Sequence, residues 1–267
     1  MATRSAVLAG VCCVGLSGCG VESDTVHETV SNLQEAGFPA NDIQVVDGTV
    51  YVGQDVVVSL LASRELLDEP SDAPELYRTS NLVSTSIQTI YVRPVRPLAA
   101  TVVAQLHEAI ANYNDLGLTF DFVFAPNPCE LDPNCPPRPP YANIDLVINP
   151  VLPAGASATS LFPSGGNPGA RIELGPGVAQ LAPNILKHLL THELGHTIGL
   201  RHADYFNRAI SCGGTSVNEG SGSVGAIHIA GTPTGASPGG SIMNTCIPAN
   251  TPGEFTSTDI TALNFLY

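Results

Sequence analysis

The sequence is short of tryptophan, methionine and basic side chains. Its 267 residues include no Trp, two Met and ten Lys plus Arg, against 24 Asp plus Glu. The formal net charge of -14 repels phosphate backbones, so the composition argues against nucleic acid as a partner. The apolar run at residues 6–16 is too short to span a bilayer. About 43% of the residues are hydrophobic, which is enough for a real core.

The N-terminal residues have the pattern of an export signal. Arg4 supplies a positive start, residues 6–16 are apolar, and Leu-Ser-Gly-Cys19 follows directly. This ending resembles the lipobox of bacterial lipoproteins, which are cut before the cysteine and lipidated on its thiol. The resemblance implies a lipoprotein signal peptide at residues 1–18 and lipidation of Cys19. The expected location is the bacterial cell envelope, with lipid anchoring at the outer membrane or cell surface, or secretion if the signal is an ordinary secretory one.

The cysteines support an oxidising compartment. Three of the seven belong to the N-terminal signal region, and the other four are an even number. The simplest pairing is Cys129–Cys135 and Cys212–Cys246, although four cysteines allow three connectivities. A zinc site built from these four is the alternative, but the sequence contains no C-x-x-C pair.

A polar, acidic stretch with prolines, residues 64–80, divides the chain. It is predicted to be a linker, because it lacks apolar periodicity. Before it, a short helix and strands, including one strand over residues 49–60, form a small N-terminal segment. Residues 19–80 are therefore predicted to be this segment with its linker. Residues 87–267 are predicted to be the main domain.

Strands and long helices share the second part of the chain. Strands are predicted at 86–92, 119–125, 143–149, 157–162 and 170–174, and helices at 98–117 and from Pro183 onward. Residues 211–253 are rich in Gly, Ser, Thr and Pro, and a last helix with Ser257 or Thr258 as its N-cap follows. This order predicts an α+β fold.

The stretch THELGHTIGLRHAD carries the clearest chemical pattern. His192 and His196 lie four residues apart on one helix face, which suits two ligands of a tetrahedral zinc ion. Gly199 permits the positive φ that ends a helix, so His202 can return to the same metal. Glu193 lies beside the metal, where it can take a proton from a zinc-activated water. Three ligands with an open fourth position are typical of a catalytic zinc site.

The string H-E-x-x-H-x-x-G-x-x-H, followed by a methionine turn, is typical of metzincins. The segment SIMN, which contains Met243, matches the methionine turn in type. The chain therefore resembles the metzincin zinc endopeptidases over residues 87–267, and the resemblance implies that these residues are the catalytic domain. Within that clan, HELGHTIGLRHADYFNR is most similar to the bacterial dual-action HEIGH metallopeptidases, with Leu194 in place of their usual Ile.

The resemblance implies a twisted mixed sheet with a backing helix and an active-site helix. A loop-rich C-terminal subdomain with a Met-turn and a C-terminal helix would follow. It implies Zn²⁺ as the cofactor, bound by His192, His196 and His202, with Glu193 as general base and Met243 as an apolar floor. The expected protein is a monomeric endopeptidase acting on protein or peptide substrates, with membrane contact only through its lipid anchor. The alternative is a non-catalytic zinc-binding envelope lipoprotein with a protease-like fold.

Residues near the motif are assigned supporting roles. Asp204 is expected to anchor a loop or a terminus, and His188 to pack beside the site. Related enzymes have a tyrosine where this chain has Thr245, which leaves Tyr205 as a candidate to steady an oxyanion. Glu219 lies in a glycine-rich stretch, so it is not predicted to be a helix-borne metal ligand.

The segment YVGQDVV loosely resembles the Phe-x-Gly-Asp aspartate switch of astacin-like pro-segments, with Gln54 intervening. The resemblance makes residues 19–80 a candidate pro-segment and Asp55 a candidate zymogen switch, and an exposed turn aspartate is the alternative. A cysteine switch is excluded from residues 20–128, which contain no cysteine. A substrate is expected to lie extended against residues 157–162 and to pair with them through backbone hydrogen bonds.

Overall fold

The computed structural model describes residues 20–67, 76–125, 141–153, 156–220, 226–233 and 235–267. The predicted signal peptide, the lipidation site Cys19 and the Cys129–Cys135 pair lie outside these residues. None of the helices in the described ranges is long and apolar enough to cross a membrane.

The described residues form several helices and a mixed sheet of short strands, which confirms the α+β class. The helices are α1 (Gly20–Glu35), α2 (Leu60–Glu65), α3 (Ala100–Asn114), α4 (Pro183–Thr197), α5 (Ala209–Cys212) and α6 (Ser257–Leu266). The strands are β1 (Gln44–Val46), β2 (Thr49–Val52), β3 (Val56–Val57), β4 (Tyr77–Arg78), β5 (Thr89–Pro94), β6 (Asp121–Phe124), β7 (Tyr141–Ile148), β8 (Ala158–Leu161), β9 (Arg171–Leu174) and β10 (Ile227–His228).

Eight strands form one mixed sheet in the order β1-β2-β3-β8-β9-β7-β5-β6, while β4 pairs separately with β10. Strand β5 runs parallel to β6 and β7, and β7 runs parallel to β9. Strand β8 is antiparallel to β9, as the turn-rich connection between them predicts. Parallel neighbours need a crossover connection, and α3 supplies the one between β5 and β6.

Helix α3 backs the sheet, as predicted. Its buried side chains recur at helical spacing: Val102, Leu106, Ala109, Ile110 and Tyr113. They belong to one apolar core with the central strands and α4. The hydroxyl of Tyr113 also donates a hydrogen bond to the carbonyl of Thr191, at 2.7 Å, which fixes α3 against α4.

The C-terminal part is held by a cap and a disulfide. The N-cap of α6 is Thr256, one residue before the predicted candidates, and it forms a capping box with Asp259. The disulfide Cys212–Cys246 joins the end of α5 to the loop after Met243, which confirms that predicted pair.

The single strand predicted over residues 49–60 is wrong, because the chain reverses inside it. Gly53 and Gln54 both have positive φ, at 64° and 79°. Two such residues in succession make a tight turn, and glycine adopts this conformation without a side-chain penalty. Strands β2 and β3 therefore pair antiparallel, and β3 pairs in parallel with β8. Residues 157–162, expected as an open edge for substrate, are covered by β3 in this form.

The N-terminal segment has a small apolar core of its own. Its buried members are Leu33, Ala36, Phe38, Val50, Val52, Val56, Val58, Ala62 and Leu66, and Phe162 is the one member from later in the chain. The predicted linker is too long, since α2 reaches residue 65 and Tyr77, in β4, is 1% exposed. The division into segments 19–80 and 87–267 stays a prediction.

The turn after α4 gives a test of the backbone that carries the motif. Gly199 has a φ of 105°, and a Cβ there would lie 2.9 Å from the carbonyl oxygen of Asn81. We expect Gly199→Ala to lower the free energy of unfolding by about 1–3 kcal/mol, because of the strained φ and the close contact. Gly177→Ala is the control, since Gly177 has a φ of -82° and nothing lies within 4 Å of its added Cβ. Urea denaturation showing equal stability for both variants would contradict the expectation.

Candidate metal centre

Helix α4 brings the first half of the motif into the protein interior. It begins with Pro183, whose fixed φ suits the first helical turn. From residue 186 to its end at residue 197 every side chain is buried. The rings of His192 and His196 lie on this buried part, with centroids 4.6 Å apart. After the turn at Gly199, the ring of His202 comes back to within 5.2 Å of the His192 ring.

Three imidazoles and one carboxylate converge on a single point. One donor atom each from Asp55, His192, His196 and His202 lies within 4.8 Å of the other three. Nε2 of His202 is 3.2 Å from Nε2 of His192 and 3.0 Å from Oδ2 of Asp55. Nε2 of His196 and Oδ1 of Asp55 are buried and have no hydrogen-bond partner in the described structure. Buried nitrogen and oxygen atoms that lack a hydrogen-bond partner are typical of a metal site.

Two of the rings are oriented by backbone carbonyls. Nδ1 of His192 lies 2.9 Å from the carbonyl oxygen of Ile242, and Nδ1 of His196 lies 2.8 Å from that of Leu200. A carbonyl can only accept, so Nδ1 must carry the proton in each ring. Each Nε2 is then left with its lone pair directed to the shared point.

The third ring is oriented by Glu219, a residue that sequence reasoning did not select. Oε1 of Glu219 lies 2.8 Å from Nδ1 of His202, and the glutamate is 1% exposed. Arg201 and Arg208 each place a guanidinium nitrogen 3.8 Å from the same carboxylate. The loop that carries Glu219 has no periodic pattern, so no local signal in the sequence predicts this contact.

Glu193 lies next to the shared point on α4. It is 1% exposed, and the hydroxyl of Ser160, on β8, donates a 2.5 Å hydrogen bond to its Oε2. Burial raises the pKa of Glu193 well above its usual range, and the negative charge of Asp55 raises it further. The carboxyl group is therefore both fixed in place and easily protonated.

The charges of the centre depend on one another. Burial, with the neighbouring His192, lowers the pKa of His196 well below its ordinary value. Burial alone would lower the pKa of His202 too, but the carboxylates of Asp55 and Glu219 raise it well above that value. Burial would raise the pKa of Asp55, but His202 and the other histidines lower it. His202 and Asp55, 3.0 Å apart, thus each favour the charged form of the other.

The methionine turn packs directly beneath α4. Met243 is fully buried, and its sulfur would lie 2.7 Å from a Cβ added to Gly195. The glycine within the motif therefore leaves room for the thioether. Asp259, at the start of α6, accepts hydrogen bonds from the Ser241 hydroxyl at 2.5 Å and the Ile242 amide at 2.9 Å. This buried carboxylate, which the sequence analysis did not select, fixes the turn whose carbonyl orients His192.

Asp204 anchors two loops, as predicted. Its Oδ1 accepts from the amide and the hydroxyl of Thr245, both at 2.9 Å. Its Oδ2 accepts from the amide of Ser211 at 3.2 Å and from its hydroxyl at 2.5 Å. Tyr205, considered as an oxyanion partner, packs edge-on against Tyr77 with centroids 4.2 Å apart.

His188 packs beside the centre, as predicted. Its ring stacks on that of His192 with centroids 6.4 Å apart, and its Nδ1 lies 2.7 Å from the hydroxyl of Thr251. Burial, with the neighbouring His192, lowers the pKa of His188 to about 3. The ring is therefore neutral at physiological pH, and it lies outside the group of converging donors.

The turn that carries Asp55 is tied to the rest of the protein by Asp42. Oδ2 of Asp42 accepts from the amide of Gly53 at 3.0 Å, and its Oδ1 pairs with Nη2 of Arg208 at 3.0 Å. Burial, and then the charge of Glu219, raise the pKa of Asp42 to about 6, and Arg208 opposes them. The alternative of an exposed turn aspartate is wrong for Asp55, since its side chain is 14% exposed.

A cavity of about 270 Å³ opens beside the centre. His192, Glu193 and Asp55 contribute to its polar side, and Leu181, Ile185, Leu189 and Ile247 line its apolar side. A small apolar cavity with a few polar groups at one end is typical of a binding site for part of a ligand.

A buried helix with two histidines and a glutamate, a third histidine after a glycine turn, and an adjoining cavity make up a metallopeptidase centre. The family model of the dual-action HEIGH metallopeptidases matches residues 50–267, and the chain belongs to this family. The predicted resemblance and the assignment as a zinc metallopeptidase are thereby confirmed. The matched range includes Asp55 as well as the three histidines.

Solved structures give distant similarities. One is high choriolytic enzyme 1, a hatching-enzyme zinc protease from Oryzias latipes, with a TM-score of 0.40 and 17% identity over 74% of this chain and 98% of that one. Two structures of myroilysin, each 12% identical, have TM-scores of 0.40 and 0.39. They cover 73% and 85% of this chain and 98% and 95% of their own. Comparison with curated proteins returns no match.

Proposed function

We propose that the chain is a zinc-dependent endopeptidase in which His192, His196 and His202 bind Zn²⁺ and Glu193 is the general base. The observation that carries this proposal is the convergence of buried donor atoms within 4.8 Å of one another. Imidazole nitrogen with carboxylate oxygen is a donor set that suits zinc.

The distances between donor atoms support zinc. A tetrahedral ion with ligands at about 2.0–2.1 Å separates neighbouring ligand atoms by about 3.3 Å. Nε2 of His202 and Nε2 of His192 are 3.2 Å apart. Asp55 oxygens lie 3.0 Å from Nε2 of His202, 3.6 Å from that of His192 and 3.8 Å from that of His196. The residues present therefore fit this ion.

Glu193 has the position and environment of a general base. When bound, zinc would polarise the scissile carbonyl and make a water molecule more acidic. Glu193 would accept the proton of the attacking water and pass it to the nitrogen of the leaving amine. Burial, which favours the protonated carboxyl group, suits it to hold the proton between these steps. The Ser160 hydroxyl keeps the carboxylate oriented.

We propose protein or peptide substrates that lie extended along β8. This strand carries Ser160, and its side away from β9 can pair with a peptide when β3 is not there. The apolar wall of the adjoining cavity suits an aliphatic side chain next to the scissile bond.

We also propose that the described form is latent, with Asp55 in the fourth ligand position. Its carboxylate faces all three histidines, and the strand that follows it, β3, covers the edge of β8. The same short segment would thus block two positions, the fourth ligand position of the metal and the edge of β8 along which a substrate would bind. Asp42 and Arg208 hold its turn in place.

The latency proposal predicts that Asp55→Asn raises hydrolysis of casein by the full-length chain at least about tenfold. The substitution keeps the shape of the side chain but removes the charge that a zinc ion attracts. Asp47→Asn is the matched control, because Asp47 lies exposed on the β1–β2 turn of the same segment. Equal activity of Asp55→Asn and the unmodified chain would rule out Asp55 as the block.

The general-base role is tested in the Asp55→Asn chain, where the block is absent. Adding Glu193→Gln should lower the rate of hydrolysis by about 10²–10⁴-fold, because the general base is lost. The zinc content should stay the same, since Glu193 is not a ligand. Metal analysis and casein cleavage, with and without a chelator, measure both effects. A chain that holds zinc but never cleaves peptides would favour the alternative, a non-catalytic envelope lipoprotein.

We propose further that the chain is a bacterial envelope lipoprotein anchored through Cys19. The Leu-Ser-Gly-Cys sequence after the apolar run supports this proposal. Mass spectrometry of the protein from the envelope of an expressing bacterium should find Cys19 as a lipidated N-terminus, without residues 1–18. Cys19→Ser should move the protein out of the membrane fraction. An unmodified N-terminus at another residue would favour an ordinary secretory signal.

A further inference from the structure

We infer that Glu219 is a positioning residue that strengthens metal binding through His202. The inference rests on the zinc site proposed above and concerns a residue outside the motif. Glu219 is not one of the converging donors. It acts on the metal only through the ring that it contacts.

The three histidines are oriented unequally. Neutral backbone carbonyls accept from His192 and His196, whereas a carboxylate contacts His202 at 2.8 Å. A carboxylate that accepts from Nδ1–H makes the other ring nitrogen a more basic ligand, and its charge attracts a dication. His202 should therefore be the strongest of the three protein ligands.

The surroundings of Glu219 keep its carboxylate on His202. Its backbone amide donates to the carbonyl of Tyr205 at 2.7 Å, which fixes the chain at this point. Guanidinium nitrogens of Arg201 and Arg208 lie 3.8 Å away and offset the cost of burying a charge. Arg201 is itself held over the ring of Tyr205, 5.2 Å from its centroid. The carboxylate of Glu219, fixed in this way, adds negative charge near the metal site while it stays on His202.

The test is the Zn²⁺ dissociation constant of the full-length chain, measured by competition with a chromophoric chelator. Glu219→Gln keeps the size of the side chain and an acceptor oxygen but removes the charge. We expect it to raise the dissociation constant about 10–100-fold. Glu173→Gln is the control, because Glu173 is a carboxylate 8% exposed on β9 whose oxygens contact Asn149 and Arg171, and it should leave zinc affinity unchanged.

A second readout separates positioning from a purely structural role. The melting temperature of the metal-free chain reports on the fold, and the absorption spectrum with Co²⁺ reports on the ligands. Weaker Zn²⁺ binding with an altered Co²⁺ spectrum supports the inference. A lower melting temperature with unchanged zinc affinity overturns it.

If Glu219→Gln fails to fold, Glu219→Gln with Arg201→Met also removes one of the two cations that face this carboxylate. The folded double variant must show the same loss of zinc affinity, and an unchanged affinity overturns the inference. Failure of the unmodified chain to bind Zn²⁺ would instead refute the proposed zinc site itself. The two failures are therefore distinguishable.

Discussion

The centre depends on one constraint, which is that three imidazole rings must direct Nε2 to the same point. A histidine ring can rotate, so each ring needs a fixed acceptor for Nδ1. Here the acceptors come from three separate places: the methionine turn, the turn after α4, and the loop that carries Glu219. The loops that follow α4 supply these three acceptors. Asp204 and Asp259 anchor these loops, and the Cys212–Cys246 disulfide joins two of them.

The part of the site that could be predicted from sequence is the part that local geometry decides. His192, His196 and His202 lie within eleven residues, so helix periodicity and one glycine turn are enough to bring them together. Met243 is separated from them in sequence, but the chain has only two methionines, so the sequence alone drew attention to its loop. Glu219 and Asp259 could not be predicted in the same way. Their contacts cross irregular loops, and a carboxylate in a loop has the same local sequence whether it is buried or exposed.

The same limit applies to the fold. Alternating apolar residues predicted the central strands, and apolar residues three or four apart predicted α3, since each pattern follows from one buried face. Residues 49–60 were also apolar enough to suggest one strand, but the positive φ of Gly53 and Gln54 divides them. The covering of β8 by β3 is a tertiary contact between distant segments, which no short window of sequence contains. It is this contact that brings Asp55 to the histidines.

The N-terminal segment has an apolar core separate from the main one. Among the described residues, the main core begins at Leu76, and the small core takes one residue, Phe162, from the later part of the chain. The contacts that join the two include a short strand pairing, the Asp42–Arg208 ion pair, the Arg201 guanidinium over the Phe38 ring and the carboxylate of Asp55. Loss of the segment would expose Phe162, the edge of β8 and the rings that face Asp55, while the main core consists of residues outside the segment.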